Sequence, residues 1–231
     1  MTEQSTAARY DMYRLIHKGL RAFMMDSLSA VGAMDSDDEA DVAAALAQTR
    51  GLLAFCHEHL RHEDGWVHTA MEAREPGSAG HTAGDHAEHA HMFTELEALA
   101  AAVESRRGAA RADAAHALYQ KLALFVGENF VHMSVEESHN NAVLWRTHTD
   151  AELAAIEQGI VASQPPEEQA LTARWIAAAA SPAERAGFLS AVRGAAPPEA
   201  FEGLLAMIRP HLRPKDREKL AHALGTAALA A

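Results

Sequence analysis

Phe55-Cys56-His57-Glu58-His59-Leu60-Arg61-His62-Glu63-Asp64-Gly65-Trp66-Val67-His68 decides how the chain folds. Taken as a helix, its inward stripe is Leu52, Phe55/Cys56, His59, His62/Glu63, Trp66 and Ala70. That is the i, i+3, i+4, i+7 spacing of a core-facing helix. The middle of the stripe is polar. His59 and Glu63 stand one turn apart on the face that folding buries. A carboxylate placed there is costly unless it is paired or coordinates a metal. Three other segments also set a His inside an apolar stripe, so the expectation is that all four converge on one metal site.

Working outward, residues 1–8 read as a polar tail. A first helix is expected over 9–31, with the stripe Tyr13, Ile16/His17, Leu20, Phe23/Met24, Ser27/Leu28. Gly32 ends it, and Asp35 to Asp38 supply N-cap candidates and first-turn acids for the next helix. The second helix, expected over 39–72, carries the opening stretch. Gly65 inside it is a small propensity cost with no evident reason. Residues 74–80 form a breaker rich in Gly and Pro.

The third helix is expected over 82–104, with the stripe His86, His89, Met92/Phe93, Leu96, Leu99/Ala100, Val103. The fourth spans 112–144, with Leu118, Leu122, Phe125/Val126, Asn129, His132, Glu136, His139/Asn140, Val143. Trp66, Phe93 and Phe125 are read as core aromatics and Cys56 as a small core residue. His139 is read as a structural histidine. His57, His68, His81, His91, His116 and His148 are placed at the surface or at helix ends.

Four long amphipathic helices joined mostly by short connections predict an all-α fold, an antiparallel up-down-up-down four-helix bundle over residues 1–148. The remainder, 149–231, reads as a smaller C-terminal region of four or five short helices. Its helix starts are led by proline: Pro165-Pro166, Pro182, Pro197-Pro198 and Pro214. Ser181 and Glu184 have the spacing of a capping box. The region is expected to pack on the bundle or to serve a homodimer or a protein partner.

The chain has 20 Lys+Arg against 32 Asp+Glu, a formal net charge of -12. That balance argues against a nucleic-acid partner or an anionic membrane surface. There is no apolar run long enough to span a bilayer and no secretory leader pattern, so a cytoplasmic location is expected. One cysteine excludes an internal disulfide and multi-Cys metal frameworks. Of the 15 His, 13 precede residue 150, which suggests that the two regions have different jobs.

The metal candidates are His17, His59, His62, Glu63, His86, His89, His132 and Glu136. Two His-x-x-x-Glu pairs on two helices put an imidazole and a carboxylate one turn apart on one face. That donor set suits iron, manganese or zinc, and carboxylates can bridge two metals. Glu58 and Asp64 fall off the stripe. Glu137 adjoins it.

These segments resemble the hemerythrin-like (HHE cation-binding) family. The resemblance rests on His17 in Leu15-Ile16-His17-Lys18-Gly19-Leu20-Arg21, on His59-Leu60-Arg61-His62-Glu63, on Asp85-His86-Ala87-Glu88-His89, and on His132-Met133-Ser134-Val135-Glu136-Glu137. It covers roughly residues 9–147. It implies a non-heme centre of two carboxylate-bridged irons with five terminal His. The His86/His89 spacing is i, i+3, where oxygen-carrying members have i, i+4. In those members the fourth-helix acid matches Glu137, whereas the stripe selects Glu136.

The function the resemblance implies is binding or sensing of O2, small oxidants or iron. Two alternatives share the same residues: an enzyme acting on peroxide or nitric oxide, and a metal-stabilised regulatory module whose helical tail binds a partner. No nucleophile, acid–base pair or phosphate loop stands outside the cluster, so no substrate pocket for larger molecules is expected.

Overall fold

Of the N-cap candidates at Asp35 to Asp38, Asp38 opens the decisive helix. Its carboxylate accepts from the backbone N–H groups of Ala40 and Asp41, satisfying donors that have no partner inside the helix. In the computed structural model, which describes residues 9–226, the described residues are helical and turn. The long helices are α1 (Tyr13–Ala33), α2 (Glu39–His62), α4 (Gly80–Ser105) and α5 (Ala109–Val135). The polar tail expected over 1–8 lies outside the described residues.

The second and fourth helices do not run uniformly. After α2 the chain makes a π-helical turn, Glu63–His68, before α3 (Thr69–Arg74). After α5 it makes another, Glu136–Asn140, before α6 (Asn141–Thr147). In such a turn the hydrogen bonds reach five residues back instead of four, which admits one extra residue. Each turn begins at the Glu of a His-x-x-x-Glu pair.

The buried stripe therefore slips by one. After Glu63, residues 64–66 are exposed, and Val67, His68 and Met71 are buried. Trp66 and Ala70 had been expected there. Trp66 is 38% exposed, and its ring lies across Gly159, where a Cβ would meet it at 2.4 Å. In the fourth helix Asn140 and Val143 are buried as expected, and the π turn leaves His139 exposed and buries Asn141 as well. Gly65 sits in open space within the first π turn, so no contact requires a glycine there.

Contacts divide the described chain into two units. One comprises the residues up to Tyr13 together with 24–162; the other comprises 14–23 with the residues from Ser163 on. In the first, α4 lies along α5 and α2 packs on α4. Leu96, Val103, Leu118, Leu122 and Phe125 are fully buried; burying an aliphatic or Phe side chain of this size contributes about 1.5–3 kcal/mol. A second cluster joins Met12, Tyr13, Val67, Met71, Val143 and Leu144 to Leu153 of α7 (Asp150–Ser163). Arg9 ties this end by its ion pair to Asp150 at 2.6 Å and by hydrogen bonds to the carbonyls of Trp145 and His148.

In the second unit, proline starts each of α8 (Pro166–Ala179), α9 (Pro182–Ala195), α10 (Pro198–Ile208) and α11 (Pro214–Leu224). Its fixed φ is already helical, and the N–H it lacks would have no partner in a first turn. The Ser181/Glu184 capping box is present. Ala177, Leu189, Phe201, Leu205, Ile208, Leu212, Leu220 and Leu224 form the core. Residues 14–23 of α1 seat on α8: Phe23 stacks on Trp175 with centroids 4.1 Å apart. Gly19 permits the approach, because a Cβ there would stand 3.1 Å from the backbone N of Ile176. Lys18 and Arg14 grip Glu184.

Candidate metal centre

His86 and His132 define the centre. Their Nε2 atoms lie 3.1 Å apart, and both rings are buried. Each ring is turned by a carboxylate on its other nitrogen: Asp64 Oδ1 is 2.8 Å from His86 Nδ1, and Asp85 Oδ2 is 3.1 Å from His132 Nδ1. A carboxylate on the outer nitrogen fixes the tautomer and aims the inner one, as at metal-binding histidines generally.

Glu63 and Glu136, at the heads of the two π turns, are buried beside these rings. Glu63 Oε1 is 3.2 Å from His59 Nε2, and its Oε2 is 3.5 Å from His86 Nε2. Glu136 Oε1 is 3.4 Å from His132 Nε2 and 3.8 Å from His86 Nε2. His17 enters from α1, a helix unbroken from Tyr13 to Ala33 whose ends both belong to the first unit. Two donor sets result. His17, His59, Glu63 and Glu136 offer atoms within 4.8 Å of one another, and so do Glu63, His86, His132 and Glu136. Both sets contain both carboxylates.

The electrostatics follow from this crowding. Burial opposes charge on His86, but Glu136, Glu63 and Asp64 outweigh it and raise its pKa to about 9. His132 rises for the same reasons, through Glu136 and Asp85. His89 is pushed down to about 4 by burial and by the neighbouring His132 and His86. The Tyr13 phenol is buried near Glu136 and Glu63, and both burial and their charges keep it protonated. It accepts a hydrogen bond from Asn140 Nδ2 at 3.2 Å.

Six of the eight predicted residues are thus brought together: His17, His59, Glu63, His86, His132 and Glu136. His89 is buried at the edge, its ring centroid 5.0 Å from that of His132, and its Nδ1 has no hydrogen-bond partner. His62 is buried but stands apart from both sets, its Nε2 2.9 Å from the Arg61 guanidinium, which donates to it. The fourth-helix acid in the cluster is Glu136, and Glu137 is not among its donors.

Three residues escaped the sequence reading. His68 was expected at the surface but is buried, stacked on His86 with centroids 4.9 Å apart. Asp64 and Asp85 hold the outer nitrogens. The signal for His68 was present in its i, i+4 spacing from Asp64, but a uniform 3.6-residue period turns that pair outward. Cys56 is buried as expected, and burial pushes its thiol pKa up, which keeps it unreactive.

A family model, the hemerythrin HHE cation binding domain, matches residues 8–144. The chain belongs to this family. No curated protein and no solved structure matches it. The HHE domain is a metal-cation-binding domain, and its match covers all the donors described, from His17 to Glu136. It stops short of α7 and the proline-led helices. None of the described helices is long and apolar enough to cross a membrane.

Proposed function

We propose that the HHE domain holds two irons bridged by Glu63 and Glu136, and that it binds or senses O2 or a related small oxidant. The observation that carries this reading is that two donor sets share both carboxylates. One metal would use the donors of one set. Two overlapping sets with common carboxylates suit a pair of metals with bridges between them. In this reading α1, α2, α4 and α5 form the antiparallel up-down-up-down bundle, each helix or its π extension contributing at least one donor.

The donor chemistry fits the group. Imidazole and carboxylate are ligands for iron, with zinc and manganese as competitors. His17 and His59 would serve one metal and His86 and His132 the other, with His89 as the fifth imidazole. A pair of irons in such a site supplies one-electron redox chemistry toward small oxidants. The chain's own part is positional. Asp64 and Asp85 orient two imidazoles, and Tyr13 keeps a proton beside the carboxylates. Phe125, in edge contact with His89, excludes water from that side.

The test is metal content per chain, by mass spectrometry on untagged full-length protein. Two irons per chain are expected. A single metal, or zinc in place of iron, overturns the diiron reading. His59→Ala and Glu63→Ala should each lower the metal content sharply; full retention in both would refute the ligand assignment.

A further inference from the structure

Beside the centre lies a second group of donors with a different relation to solvent. Asp64, His68 and His86 offer atoms within 4.8 Å of one another. The Asp64 side chain is 53% exposed, whereas those of His68 and His86 are 7% and 4% exposed.

The two ring nitrogens of His68 have different surroundings. Thr82 Oγ1 donates to the carbonyl of Ala79 at 3.2 Å and lies 3.1 Å from His68 Nε2. Thr82 Oγ1 thus occupies Nε2 and leaves Nδ1 as the ring nitrogen that faces Asp64. That Nδ1 is buried and makes no hydrogen bond, although Asp64 Oδ1 lies 3.0 Å away. A buried ring nitrogen without a hydrogen bond thus stands at contact distance from a half-exposed carboxylate, and a cation held by both would satisfy it. The same Asp64 oxygen is 2.8 Å from His86 Nδ1, and the far nitrogen of that ring is inside the centre, 3.1 Å from His132 Nε2.

We infer that Asp64 and His68 form a capture site for a divalent cation, and that His86 is the next donor on its way into the centre. The inference rests on the reading of the centre as a metal site. A hydrated dication sheds its waters at a cost, and donors sealed in a dry interior cannot meet it while the waters leave. An exposed carboxylate backed by a buried imidazole lets exchange proceed in steps. The alternative role of Asp64, orienting His86 and nothing more, needs only an acceptor.

Asp64→Asn keeps that acceptor and removes the charge. His68→Phe keeps the stacked ring and removes the nitrogen. Uptake of Co(II) by the metal-free full-length chain, followed anaerobically by visible absorption, separates the roles, with final cobalt content measured by mass spectrometry. Both variants should load at least tenfold more slowly than the unaltered chain, and His68→Phe should reach the same final content. Unaltered rates in both would overturn the capture site. So would a lowered final content at unaltered rate, which would assign the two residues to orienting His86. Failure of the unaltered chain to take up Co(II) would overturn the centre itself.

Discussion

The two units place opposite materials at their middles. In the first, the interior around Glu63, His86, His132 and Glu136 is polar and charged, and those residues are at most 5% exposed. In the second, the interior is aliphatic and aromatic, and its buried charges are Arg185 and Asp216, 3.6 Å apart. Arg185 also donates to the carbonyls of Ala177 and Ala180 at the end of α8, so its charge serves as a C-terminal cap. Apolar burial holds a fold without help, whereas packed imidazoles and carboxylates hold one only when something neutralises them. The first unit adds a buried charged cluster to its apolar core, and in the proposed reading a bound cation neutralises it; the second stands on packing and caps.

Stripping metal from the protein should break the comparison most visibly. In the proposed reading, metal affinity contributes directly to folding free energy. Amide hydrogen exchange should accelerate around 55–68, 82–92 and 125–141 on chelation and stay unaltered over 198–224. Equal acceleration in both units would mean that they do not differ in this way.

Next in size is Phe201→Ala, which removes an aromatic side chain from the second unit's core. It should cost about 3–5 kcal/mol, read as a lowered melting transition, with metal content per chain unaltered. Gly19→Ala comes third. Its Cβ would stand 3.1 and 3.2 Å from backbone atoms of Ile176 and Trp175, which cannot rotate away. Overpacking of this kind costs about 1–3 kcal/mol, visible as weakened Phe23–Trp175 stacking in Trp fluorescence. Ser181→Ala, which removes the capping box, should cost about 0.5–2 kcal/mol in chemical denaturation.

The smallest effect is that of pH on Glu184. Hydrogen bonds from Lys18, Ser181 and Arg14 hold its carboxyl far below the usual range. A carboxylate whose folded pKa is depressed contributes stability above its unfolded pKa, about 4.3. That stability is lost as the pH falls below this value toward the folded pKa. Glu184→Gln should lower the neutral plateau of a stability–pH curve slightly and flatten its acid limb below about pH 4.3, so that the two proteins converge in acid. An unaltered acid limb would show that the grip of Lys18 and Arg14 carries no net energy.

The helices and most of the centre were legible because burial on a helix repeats near 3.6 residues. A His or Glu inside an apolar stripe is then marked as inward. His17, His59, Glu63, His86, His132 and Glu136 were all found this way. The same period misled beyond Glu63. It placed Trp66 inside and His68 outside, because a π turn adds a residue that no apolar pattern announces. His62 and His59 are equally good by spacing. In the fold, Arg61 stands against His62, and Glu63 faces His59.

By itself the sequence determined the all-helical class, the proline-led helix starts, the Ser181 cap, an acidic cap within Asp35 to Asp38 and the inward-facing donors. These follow from local rules: backbone φ, unpaired N–H groups and the repeat of one helix. Only the tertiary structure decided that two donor sets share two carboxylates, that Asp64 and Asp85 hold the imidazoles of other helices, and that His68 lies buried behind Asp64. Those contacts join residues 22 to 47 positions apart or depend on a slip in helical register. Their energies come from neighbours that a one-dimensional pattern does not contain.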